Sequence, residues 1–217
     1  MTEVDNGNSG ADSASDKSAA HKAEMQALQQ EQAAKVKAKN IDRGIVIVNT
    51  GDGKGKSTAG FGLALRAAGC GHRVGLIQFI KGTWKTGEAE ALKRFPEITH
   101  IVSGDGFTWN TQDRDKDIAS ARRGWETALE MIEASRGDNP KYQLIILDEL
   151  NIAVHYDYLP IAEVVAALRD KPSELSICVT GRGAKPELIE IADTVTEMRV
   201  VKHAFDAGIQ ARRGIEY

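Results

Sequence analysis

The chain has 217 residues, of which 41% are hydrophobic and 27% charged. These are ordinary values for a water-soluble globular chain of about one domain. The formal charge of −3 excludes a global basic field of the kind that binds nucleic acid. No apolar run is long enough to span a bilayer, and no apolar stretch near the start marks a secretory signal, so no membrane partner and a cytoplasmic setting are expected. Cys70 and Cys178 lie far apart without metal-ligand or redox spacing and read as ordinary packing in a reducing compartment.

Residues 1–16 are rich in Ser, Asn, Asp, Gly and Ala and are expected to be a disordered tail. Residues 17–43 form an N-terminal arm, helical to about residue 40, where Ala, Gln, Lys and Glu dominate. Met25, Leu28 and Val36 share one thin stripe. Such a helix either frays in solvent or orders against the body, a partner subunit or a ligand.

The body, residues 44–217, alternates strands with helices. Strands are predicted at 45–48, 74–79, 98–102, 144–147, 175–180 and 194–200 from short apolar, β-branched runs. Helices are predicted at 57–68, 88–95, 113–135, 161–168 and from Pro186. Residues 103–112 read as a loop. The pattern implies an α/β fold with a mostly parallel sheet and helices on both faces, which binds ligands beyond the carboxyl ends of its strands.

Gly51-Asp52-Gly53-Lys54-Gly55-Lys56-Ser57-Thr58 follows the first strand and opens the first helix of the body. Glycines let backbone amides converge on a phosphate, the helix start adds free amides, and Lys56 reaches the outer phosphates. The Ser57 hydroxyl is suited to Mg²⁺. This makes the segment a P-loop for ATP or a similar nucleotide, in a RecA-like architecture. It departs from the usual GxxxxGK[ST] in one respect: Thr50 stands where the first Gly belongs, and counting from Gly51 gives a loop one residue shorter. Lys56 is expected to be exposed at the loop–helix junction. The second motif is the apolar strand 144–147 ending in Asp148 and Glu149. Strand alternation points the two carboxylates to opposite sides, and either could hold Mg²⁺.

Seven segments in order resemble the P-loop cob(I)alamin (corrinoid) adenosyltransferases of bacterial adenosylcobalamin synthesis. They are residues 50–58, Gln78-Phe79-Ile80-Lys81-Gly82, Gly106-Phe107-Thr108-Trp109, Leu147-Asp148-Glu149-Leu150, Tyr156-Asp157-Tyr158-Leu159-Pro160, Thr180-Gly181-Arg182-Gly183 and 201–208. The resemblance covers about residues 44–217, includes the short loop, and extends to the N-terminal arm that some members carry. It implies transfer of the 5′-deoxyadenosyl group of ATP to a reduced corrinoid, with release of triphosphate. Cobalt(I) carries no proton, so no general base is required, and none is evident in the sequence. The resemblance further implies Lys56 as the catalytic charge and Ser57 and Glu149 as ligands of Mg²⁺, or of Mn²⁺ in its place. It places Arg66 near the nucleotide and Phe107 and Trp109 against the corrinoid. On the residues alone, that aromatic pair reads equally well as core. It also implies a homodimer and a reduced flavoprotein or flavodoxin as electron donor. A P-loop ATPase or nucleotide switch stays open as the alternative. A GTPase ranks behind both, because no NKxD-like segment reads guanine. His21, His72, His100, His155 and His203 are expected to be structural or surface residues, with His203 in a family segment; Arg212 and Arg213 are expected to be solvated.

Overall fold

The computed structural model describes residues 10–80, 87–103 and 113–216. Contacts divide the chain into two compact units, residues 1–42 and 43–217. The first holds helix α1, Gly10–Lys37. It starts seven residues before the expected 17, inside the stretch read as disordered. Ala, Ser and Asp continue the helix there, with no Pro and no further Gly after Gly10 to interrupt it. Met25, Leu28 and Val36 on it are exposed.

The second unit contains six parallel strands: β1 (Val46–Thr50), β2 (Val74–Gln78), β3 (Ile98–Val102), β4 (Leu144–Asp148), β5 (Ser176–Thr180) and β6 (Thr194–Glu197). Their order is β3-β2-β4-β5-β1-β6. The helices are α2 (Lys56–Gly69), α3 (Gly87–Leu92), α4 (Arg114–Glu133), α5 (Leu150–His155), α6 (Ile161–Arg169) and α7 (Pro186–Ile191). The α/β expectation therefore holds, and every described pairing in the sheet is parallel.

Strand alternation creates two cores, one on each face. Ile145 and Leu147 of β4 join Ile177 and Val179 of β5 and Trp125 of α4 on one side. Leu144 and Ile146 join Cys178 and, from α2, Phe61, Ala64 and Ala68 on the other. Because both faces are covered, the central strands read as continuous apolar runs rather than as alternating ones. Trp125 is fully buried, and its indole N–H donates to Glu163 Oε1 at 2.7 Å. Arg122 donates to the same carboxylate at 2.6 Å, which joins α4 to α6.

Two differences from the expected elements matter for the site. β6 stops at Glu197 rather than 200; all four of its residues are exposed, so no burial pattern marks its end. Helix α5 was not anticipated, and it begins directly after Glu149.

Candidate nucleotide site

The glycine loop joins the end of β1 to the start of α2. Gly55 occupies the cap position of α2 with φ of 113°, a left-handed conformation that glycine adopts without strain. Gly53 is needed for a close approach: a Cβ there would lie 2.8 Å from backbone atoms of Met198 and Arg199. The chain after β6 thus packs against the loop, and the Gly53 amide donates to Met198 O at 2.7 Å. No side chain caps α2 and its first turn has no acidic residue, so its leading amides suit phosphate oxygens.

Lys56 is buried, contrary to the expectation of an exposed side chain. It folds back over the loop, and its ammonium donates to Gly53 O at 2.6 Å. Burial pushes its pKa down; Glu149 and Asp52 oppose that shift, and Arg182 adds to it. The electrostatics therefore bring Glu149, Asp52 and Arg182 to one ammonium. Arg182 also donates to Asp52 O at 3.3 Å. Ser57 is half-buried and Thr58 exposed on the first turn of α2. Lys54, on the outer side of the loop, pairs with Glu216.

Asp148 and Glu149 do not share a strand geometry. Asp148 ends β4 and is 1% exposed. Its carboxylate accepts from Gln78 Nε2 at 2.9 Å and from Thr180 Oγ1 at 2.7 Å. Glu149 leaves the strand altogether, with φ of 64°, and caps α5. The half-buried Glu149 is thereby the carboxylate on the Lys56 side, whereas Asp148 belongs to an internal network.

The remaining expected residues are more dispersed. Arg66 is exposed in the last turn of α2, about 15 Å along the helix from Lys56 at 1.5 Å per residue. Phe107 and Trp109 lie outside the described residues. Among the histidines, His100 bonds Gln78 at 2.9 Å, and His203 accepts from the Phe205 amide at 3.1 Å. His21, His72 and His155 are exposed, as are Arg212 and Arg213. Among the described residues, no three His, Cys, Asp or Glu side chains gather into a metal cluster. Hard oxygen donors are nevertheless present, Ser57 on the loop helix and the Glu149 carboxylate near Lys56. This set fits a Mg²⁺ ion that takes its other ligands from phosphate and water. Sequence reasoning did not single out Thr180, Arg182 or Asn151. Their only signal was the Thr-Gly-Arg-Gly segment and the residue after Asp-Glu-Leu, which carry no chemistry until β5 is known to lie between β1 and β4.

Fold and loop together define a phosphate-loop nucleotide-binding protein of the parallel α/β class. Residues 42–217 match the family described as ATP:corrinoid adenosyltransferase BtuR/CobO/CobP, and the chain belongs to that family. It is 49% identical over 177 residues to a corrinoid adenosyltransferase of Pseudomonas aeruginosa, covering 81% of this chain and 85% of that one. The Escherichia coli K12 corrinoid adenosyltransferase is 48% identical, with 85% and 91% covered. The corrinoid adenosyltransferase CobA of Salmonella typhimurium is 46% identical with the same coverage.

Proposed function

We propose that this chain is an ATP:corrinoid adenosyltransferase that moves the 5′-deoxyadenosyl group of ATP to the cobalt of a reduced corrinoid. Family membership across the whole second unit is the observation that carries this reading. In the reaction the electron pair on cobalt(I) forms the bond to C5′ of the ribose. The C5′–O bond breaks, its electrons leave with the intact triphosphate, and cobalt ends as cobalt(III).

The chain's own part is placement and charge. The loop 51–58 receives the phosphates. Lys56, pre-buried beside Gly53 O, moves its ammonium from that carbonyl to the outer phosphates of the departing triphosphate. A buried cation with a single described hydrogen bond gains most from meeting an anion, because little water has to be stripped from it. Ser57 and Glu149 hold Mg²⁺, or Mn²⁺ in its place. When bound, the cation adds further positive charge on the phosphate oxygens. Arg66 serves the part of the nucleotide distant from Lys56. Phe107 and Trp109 lie against the corrinoid and exclude an axial ligand, which eases reduction of cobalt(II) by a reduced flavoprotein such as a flavodoxin. The active form is a cytoplasmic homodimer. The N-terminal arm, which carries helix α1, contributes to substrate binding.

Incubation with ATP, Mg²⁺ and chemically reduced corrinoid tests the reading. It predicts a light-sensitive cobalt–carbon product and one inorganic triphosphate for each corrinoid. ADP and phosphate instead, with no cobalt–carbon bond, would establish the ATPase alternative.

A further inference from the structure

Glu149 adopts a left-handed backbone at a non-glycine position, with φ of 64°. Non-glycine side chains are uncommon there, and the conformation persists only where the surroundings hold it. Two contacts from the end of β5 do so. The Glu149 amide donates to Thr180 Oγ1 at 3.0 Å, and the same hydroxyl donates to Asp148 Oδ1 at 2.7 Å. A hydroxyl has one proton, so donation to Asp148 leaves its lone pairs aimed at the Glu149 amide. Two residues further on, Asn151 Nδ2 donates to Gly181 O at 2.9 Å. Thr180, Asp148 and Asn151 are all buried, at 0%, 1% and 1% exposure. The orientation of Asp148 is fixed in turn by Gln78 Nε2 at 2.9 Å, and Gln78 Oε1 meets His100 Nε2 at 2.9 Å.

We propose that Thr180 is a positioning residue: its hydroxyl, oriented by Asp148, holds the Glu149 turn so that the Glu149 carboxylate faces the bound nucleotide's divalent cation. Asn151 is the second tie on the same turn. The inference rests on the reading of Glu149 as a cation ligand given above. It assigns Asp148 no ligand role, because Gln78 and Thr180 each donate to one of its oxygens and the side chain is buried.

The test is ATP binding to the full chain by calorimetry, once with Mg²⁺ and once with EDTA. Thr180→Val keeps the shape and removes the hydroxyl. It should weaken binding about tenfold with Mg²⁺, the usual effect of losing a group that orients a ligand, and by less than about twofold with EDTA. Thr180→Ser restores the hydroxyl and should return both values to within about twofold of the parent. Equal loss in both conditions, no loss with Mg²⁺, or a Ser variant as weak as the Val variant would overturn the proposal. If Thr180→Val does not fold, Asn151→Ala must show the same Mg²⁺-selective loss, and its absence counts against the inference equally. Glu149→Gln separates the two readings. A Mg²⁺-selective loss there without one in Thr180→Val refutes only the positioning role. No such loss in Glu149→Gln refutes the cation role of Glu149 and the inference with it.

Discussion

Replacing Lys56 with alanine should all but abolish adenosyl transfer and leave the folded protein nearly as stable as before. The ammonium sits in a buried pocket, bonded to Gly53 O at 2.6 Å, with burial pulling its pKa down. An ion pair at about 4 Å in a site of effective dielectric near 20 is worth about 4 kcal/mol. That corresponds to roughly a thousandfold in rate if all of it acts in the transition state. Part of the attraction is already present with bound ATP, so the expected fall in kcat/KM is about 100- to 1,000-fold. For stability the terms oppose each other. A charge-assisted hydrogen bond contributes about 1.5–3 kcal/mol, and the desolvation of the ammonium offsets much of it. The net change should stay under about 1 kcal/mol, a shift in the unfolding midpoint of no more than about 4 °C. Initial rates with chemically reduced corrinoid, together with thermal unfolding of the ligand-free protein, decide the matter. Turnover within tenfold of the parent, in a variant that unfolds normally, would refute the role given to Lys56.

Three further outcomes follow from residues away from the loop. Burial pushes the Cys178 thiol up to about 12, while Cys70 is exposed; a thiol reagent at pH 8 should label one cysteine in the native protein and both after unfolding, and two rapid native reactions would contradict the packing. The Asp193 carboxyl is held low mainly by Arg43, with help from the Val46 amide, and Glu163 mainly by Arg122, with help from Trp125. A depressed folded pKa gives stability that is present above the unfolded value of about 4 and is lost as pH falls through the folded value. Asp193→Asn and Glu163→Gln should therefore each unfold at lower temperature at pH 7 and lose less on acidification to pH 3, and curves parallel to the parent would exclude these pairs as the cause. Deleting residues 1–40 should leave the unfolding of the ligand-free second unit unchanged and weaken ATP or corrinoid binding; unchanged affinity and turnover would make the arm a solvated tail.

The sequence displayed the scaffold better than the chemistry between its strands. Leu144–Asp148 is wholly buried, and a run of that composition has few other places to go. β6 left no comparable trace, because an edge strand with every residue exposed carries no burial pattern, and its predicted end ran three residues too far. Helix α5 is only six residues long, too short for a 3.6-residue period to emerge, and its cap is a glutamate in a conformation usually signalled by glycine. The phosphate loop was legible because glycine, lysine and serine spacing is local. The burial of Lys56 was not, because it depends on the loop carbonyl that the side chain folds back to meet. The hydrogen bonds of Thr180 join residues 31 and 32 positions apart, and only the strand order brings them together.

That strand order also sets the spacing between the loop and the acidic turn. β5 lies between β1, which carries the loop, and β4, which carries the acidic turn. Adjacent strands are about 4.8 Å apart, so the two chemical elements start roughly 10 Å from each other. A nucleotide's phosphates can fill that gap. A row of polar side chains on consecutive strands runs up to that gap and ends on the strand inside it: His100 on β3, Gln78 on β2, Asp148 on β4 and Thr180 on β5. Buried polar groups in a sheet are costly unless each one is satisfied, and the reported bonds satisfy them along the row. An apolar row would pack as well and would avoid that risk. The polar row's distinct effect is to convert the fixed spacing of parallel strands into the orientation of one backbone turn, so the precision of Glu149 derives from the sheet rather than from the loop that carries it.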